Sequence, residues 1–197
     1  LTTAARSDHV HGGVHAVRVV GQTNLQGDVE LAGGLTQAGN RITFTGLSGS
    51  LVQRQFSQLT GKNTITATIP FDTSKPQSGE GGQLLTVTIV PQNASNILHI
   101  RFVGAGNNGG GATGIAALFQ DAGADAISAA FGNYATATAI SSVVLEYKMV
   151  AGTTSPITFK IRVGISDGSN WDFGSGNSSN DLGGVASTLL TVDEIKV

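Results

Sequence analysis

Apolar and polar residues alternate along the chain from Val17 to Leu31. Val17, Val19, Gly21, Thr23, Leu25, Gly27, Val29 and Leu31 hold the odd positions. Arg18, Gln22, Asn24, Gln26, Asp28 and Glu30 hold even ones, with Val20 the exception. A period of two means extended chain with one apolar face and one wet face, not a helix. Gly21 and Gly27 fall on the apolar parity, and a glycine in a strand packs nothing. Their placement fits a crowded axis around which several copies wrap. A lone ribbon cannot bury its apolar face, because an isolated hairpin is marginal in water. Residues 1–48 are therefore expected to form a linker and a thin β stalk, intertwined in a homotrimer. The alternative is a β-hairpin packed on the domain that follows.

From Ser50 the texture changes to short alternating runs separated by turn residues. Ile65, Ala67 and Ile69 end at Pro70, and Leu85, Val87 and Ile89 end at Pro91. Leu98, Ile100 and Phe102 lead into a loop expected over Gly104 to Gly111. Val143, Leu145, Tyr147 and Met149 follow, then Phe159, Ile161, Val163 and Ile165, and last Leu190 with Val192. Several short strands with turn signals between them predict a β-sandwich, jelly-roll-like, over residues 49–197. The fold class is all-β. Gly114 to Ala130 is ambiguous, since its Ala, Leu and Phe could make a helix. Asp121-Ala122-Gly123-Ala124-Asp125 reads better as the turn of a hairpin, because Gly disfavours helix and Asp favours turns.

Composition narrows the chemistry. The 197 residues include 28 glycines and no cysteine, and 12% are charged, about half the usual share. Without cysteine there is no disulfide scaffold, thiolate zinc site or Cys nucleophile. The net charge is −2 with dispersed basic residues, so no basic stripe calls for nucleic acid. No apolar run approaches the roughly 18 residues of a membrane helix, and membrane insertion is not expected. Met149 is the single methionine and the chain starts at Leu1, which reads as a processed product or a fragment.

Catalytic arrangements find little support. Three of the four histidines cluster at His9, His11 and His15, and the fourth, His99, has parity opposite to its apolar neighbours. Gly174-Ser175-Gly176 lies in a polar loop rather than at a nucleophile elbow, and Gly109-Gly110-Gly111 lacks the Lys-Ser/Thr of a phosphate loop. The acids are dispersed, mostly at turns, not paired as a glycosidase requires.

His9 and His11 are the most specific local feature. In extended chain they point to one side, so a trimer would offer six imidazoles at one level. That cage suits a transition metal such as Fe, Ni or Zn on the trimer axis; the bland reading is an exposed polar junction. Asn170, Trp171, Asp172 and Phe173 pair an aromatic face with hydrogen-bonding groups, as a sugar site does. Against that stands a Trp that plugs the sandwich or packs at an interface. Asp167 and Asp172 match no EF-hand spacing for Ca²⁺. Asn107 and Asn108 form a second candidate contact, or a floppy loop tip.

The stretch Ile69-Pro70-Phe71-Asp72-Thr73-Ser74-Lys75-Pro76-Gln77-Ser78-Gly79-Glu80-Gly81 resembles a signature in structural proteins of tailed bacteriophages and related particles. Ala116 to Ala126, Leu145 to Ser155 and Phe159 to Gly164 are similar to later blocks of that family, in order. The Asp8-His9-Val10-His11-Gly12 segment before an alternating ribbon resembles the start of many phage fibre modules. The resemblance implies a homotrimeric fibre or spike tip on the virion surface. Other virion proteins would lie on its N-terminal side and a host surface glycan or protein would be its receptor. No binding residue carries over, because receptors differ across the family. A purely structural role as head fibre, decoration or adaptor is the alternative.

Overall fold

The computed structural model describes residues 49–108, 112–133, 140–175 and 180–197. The stalk expected over residues 1–48, with His9 and His11, lies outside them.

Two antiparallel sheets face each other. In the first, β4 (Ile97–Asn108) is central. β7 (Ile140–Val150) pairs along one side of it, from Ile97 opposite Val150 to Asn107 opposite Ile140. Two strands share its other side: β10 (Ser187–Ile195) pairs from Ile97 to Val103, and β9 (Trp171–Phe173) from Gly106 to Asn108. β1 (Leu51–Thr60) borders β10, and β2 (Asn63–Ile65) borders β9. The cross-section is thus four strands wide, with β9 and β2 taking over from β10 and β1 at the far end of β4. The second sheet is ordered β3 (Gly82–Ile89), β8 (Ile157–Ile165), β5 (Thr113–Gln120), β6 (Ser128–Asn133). Only β5 and β6 follow one another within it, so the chain repeatedly crosses between sheets. The product is an all-β sandwich.

The period-two residues meet inside. Leu98, Ile100 and Phe102 of β4, Leu145 of β7 and Leu190 and Val192 of β10 pack on Leu85 and Val87 of β3 and on Phe159 and Ile161 of β8. The expected hairpin is present: Ala116 opposes Ala130 and Ala117 opposes Ala129. β5 looked helix-like because both of its faces are buried. Ala116 and Leu118 enter the main core, while Ile115, Ala117 and Phe119 enter a second cluster with Ile69. A strand covered on both faces loses its alternation.

That second cluster exists because residues 66–81 form a strap across the outer face of the second sheet. Gly81 N–H donates to Thr68 O at 2.8 Å, closing the strap on itself. Arg162 Nε and Nη2 donate to Glu80 O (2.6 Å) and Gly81 O (2.7 Å). Ser78 N–H donates to Ala124 O and Ala126 N–H to Pro76 O, tying the strap to the β5–β6 turn. The run Ile65, Ala67, Ile69 is therefore not one strand: β2 stops at Ile65 and the rest belongs to the strap.

Two further expectations are corrected. The loop placed over Gly104 to Gly111 is strand as far as Asn108. A Cβ on Gly106 would lie 2.2 Å from Asp172 O, so glycine there serves close backbone approach rather than a turn. The loop Asp167 to Gly174 contains β9, which that approach admits into the sheet. β1 carried no legible alternation, because Arg54, Gln55, Phe56 and Gln58 of this edge strand are all exposed.

Candidate functional site

β9 inverts the expected receptor surface. Trp171 and Phe173 point inward with ring centroids 4.4 Å apart, and Phe102 meets Phe173 edge-on at 6.4 Å. Both are fully buried and plug the far end of the sandwich. Asp172, on the opposite parity, is also buried; it pairs with Lys62 Nζ at 3.0 Å and accepts from Thr64 Oγ1 at 2.5 Å. Its cross-strand neighbour Asn107 is buried beside it. The proposed contact at Asn107, Trp171, Asp172 and Phe173 is thus corrected: a core needs these side chains, and none offers open surface. Asn170 is half-buried in the turn before β9, and Asn108 ends β4. Asp172 is paired with Lys62, while Asp167 closes an exposed turn on Ser169, so each carboxylate has its own protein partner. Among the described residues no three His, Asp or Glu side chains stand where they could share a metal.

Sequence reasoning missed a buried carboxylate. Glu194, near the end of β10, is fully buried. It accepts from Gln53 Nε2 and Asn96 Nδ2, both at 2.6 Å, and from the backbone N–H groups of Gln92 and Asn93 at 2.9 and 3.2 Å. Burial pushes its carboxyl up, but these donors together outweigh burial and hold it below its usual 4.5. No nucleophile shares the cluster. It ties the β3–β4 loop to β1 and has no reacting partner.

The outer face of the first sheet carries the clearest unpartnered surface. Cross-strand rows run Arg54, Asp193, His99, Lys148; then Phe56, Thr191, Arg101, Glu146; then Gln58, Leu189, Val103, Val144. Arg54 pairs with Asp193 at 2.6 Å and Arg101 with Glu146 at 2.9 Å. Exposed pairs of this kind stabilise by about 0–1 kcal/mol. His99 Nε2 is buried in this face with no hydrogen-bond partner. Phe56, Val144 and Ile140 are exposed, and so are Leu182 and Val185 from the excursion between β9 and β10. Leu182 is 78% exposed and sits at φ +53°, a left-handed backbone that costs a non-glycine residue about 1–2 kcal/mol. Between that excursion and the sheet lies a cavity of about 340 Å³, lined chiefly by Ala105, Ile140, Leu182 and Ala186.

The outer face of the second sheet differs. Thr86, Thr88, Thr158, Lys160 and Arg162 line its open part, and the strap covers the rest. At the strap's edge, Phe71 and Phe131 remain more than half exposed.

No protein-family model matches the chain, and no curated protein matches it. Among solved structures the chain is similar to murine APRIL, at 11% identity, over 68% of this chain and 98% of that one, with a TM-score of 0.34. That likeness assigns neither a family nor a function.

Proposed function

We propose that this chain is a non-enzymatic tip module of a virion fibre or spike, homotrimeric, at the particle surface, attaching to a host-surface glycan or protein. The observation that supports the reading is the set of exposed apolar side chains standing among charged ones on the outer face of the first sheet. Ile140 and Val144 of β7 are exposed near Leu182 and Val185 of the excursion, and Phe56 is exposed on β1 across the sheet. Each partner of a standard interface contributes about 800 Å², so these apolar residues would make one only together with the charged rows between them. Arg54, Arg101 and Lys148 interleave with Asp193 and Glu146, a charge pattern that a copy of itself can meet. The β-sandwich and the phage-like order of the sequence blocks agree with the same reading. A purely structural virion component is the second reading, favoured by the burial of Trp171 and Asn107.

The cysteine-free sequence makes the test clean. Val144→Cys places a thiol on the first sheet's outer face and Thr88→Cys one on the second. In the full-length chain, sedimentation equilibrium should give three times the chain mass. Maleimide should then label Thr88→Cys at once and Val144→Cys slowly. A monomer, or equal labelling rates, would reject assembly through this face. Full-length trimer that adheres to no host surface would favour the structural reading.

A further inference from the structure

We infer that the dimple between the strap and β6, walled by Phe71 and Phe131, is a binding site for one ring of a neutral saccharide. The inference rests on the attachment reading above and gives it a location, on the sheet opposite the assembly face.

Phe71 is 57% exposed and Phe131 65% exposed, with ring centroids 5.0 Å apart and planes inclined at 59°. Scattered exposed apolar residues are ordinary, but two adjoining phenyl rings are a defined apolar surface. They come from segments far apart in sequence. Phe131 stands outward on β6 opposite Ile115 of β5, and the strap carries Phe71 to it. The dimple between them holds about 140 Å³, with Pro70 and Pro76 as walls and Ile115 and Ala129 as floor. Ligand pockets for drug-sized molecules start near 300 Å³, so this one seats a single ring rather than engulfing a molecule. Proline walls and a strap bonded at both ends keep the shape fixed before anything binds.

The rim selects the chemistry. Asp72 is the one charged residue lining the dimple. Its Oδ1 accepts from the Ser74 hydroxyl at 2.6 Å and the Ser74 N–H at 2.7 Å. The hydroxyl first, and then the N–H, hold the carboxyl below its usual range, so it is ionised and acceptor-only at neutral pH. Its Oδ2 takes no hydrogen bond from the described residues. The occupant must then present an apolar C–H face to two phenyl rings and hydroxyl donors to a carboxylate oxygen. A neutral hexose or N-acetylhexosamine does both. A carboxylated or sulfated sugar meets like charge at Asp72 with no cation in the lining to offset it. An arginine side chain could stack on the rings, but it would desolvate a guanidinium over an apolar floor beside an exposed, screened carboxylate.

The test uses the full-length chain on immobilised neutral hexose and N-acetylhexosamine oligosaccharides, with sialylated and uronic-acid oligosaccharides and an arginine-rich peptide beside them. The chain should bind neutral members and not acidic ones, with little dependence on salt. Phe131→Ala and Phe71→Ala should each weaken binding about tenfold or more, with the oligomer mass and melting temperature unchanged. Asp72→Asn should weaken neutral binding and admit acidic sugars. Binding that survives the double Phe71→Ala/Phe131→Ala variant would move the site elsewhere and leave the attachment reading standing. Capture by the peptide alone, lost at high salt, would overturn the saccharide assignment. So would a Phe131→Ala variant whose oligomer falls apart, since the rings would then be an assembly contact. Adhesion to host cells without binding to any saccharide of the panel would also overturn it, and would leave a protein receptor for the attachment reading.

Discussion

The two outer faces of the sandwich start from the same problem and reach different ends. Each sheet buries one face in the shared core and must do something with the other. The second sheet covers part of its outer face with its own chain: the strap lays Ile69 over Ile115, Ala117 and Phe119, and threonines and cations line the open part. Among the described residues, the first sheet is overlaid only at its far end, where the excursion carrying Leu182 stands over Ala105 and Ile140. Its outer face keeps Phe56, Val144 and Ile140 exposed beside only two exposed ion pairs. Covering a face internally makes a finished surface on which a small site can be shaped. Leaving it bare keeps apolar side chains in solvent, where another chain can reach them. On the proposed function, the first face is the one that assembles and the second the one that contacts a receptor.

The contrast can be broken or sharpened in four ways. The largest effect should come from Phe102→Ala, which empties a fully buried site shared by both sheets. It should cost about 3–5 kcal/mol, and chemical denaturation should show both faces lost together. If one face survived, the sheets would not share a core. Ile69→Ala should cost about 2–5 kcal/mol, toward the lower end because a strap can collapse inward. Here hydrogen exchange should quicken at the N–H groups of Gly81 and Ser78, which bond the strap, before those of β4 and β10. Uniform quickening would make the strap part of the core rather than a cover.

Glu194→Gln should cost about 1–3 kcal/mol at neutral pH, the range for a buried hydrogen-bonding group disturbed in place. The Glu194 carboxyl titrates below its unfolded value of 4.5 in the folded chain. Its stabilisation is therefore present above pH 4.5 and lost as pH falls through the lower folded value. Thermal melts across that window should show wild type losing more stability than Glu194→Gln. Parallel acid limbs would mean that the carboxylate is not what the loop depends on.

The smallest effect on the protomer should come from placing the same lysine on either face. Thr88→Lys and Val144→Lys should each change protomer stability by less than about 0.5 kcal/mol. Only Val144→Lys should weaken association, read by sedimentation velocity across a dilution series. Equal behaviour would erase the distinction between the faces.

Most of the sandwich was legible in the sequence because β3, β4, β7, β8 and β10 each have one dry and one wetter face. Alternation reports that asymmetry and little else. It failed at β1, an edge strand with too few buried positions to leave a period, and at β5, buried on both sides. The site was less legible still. Trp171-Asp172-Phe173 lies among Gly, Ser and Asn, so its composition says loop. What draws it into the core is the bare backbone of Gly106 at β4, more than sixty positions away. Phe71 and Phe131 meet for the same kind of reason: nothing local joins them, and only the path of the strap does.

One sheet position beside β4 is split between β9 and β10. Gly174 N–H donates to Ala105 O, and Gly61 N–H donates to Ala186 O. Both ends of the excursion are therefore held by backbone bonds, with Asn180 Oδ1 accepting from Lys62 N–H between them. Where the ends are already held, doubling a loop's length costs only about 0.6 kcal/mol. The described residues Asp181 to Val185 can thus change at small cost to the register of β9 and β10, whatever the change does to the outer face they stand over.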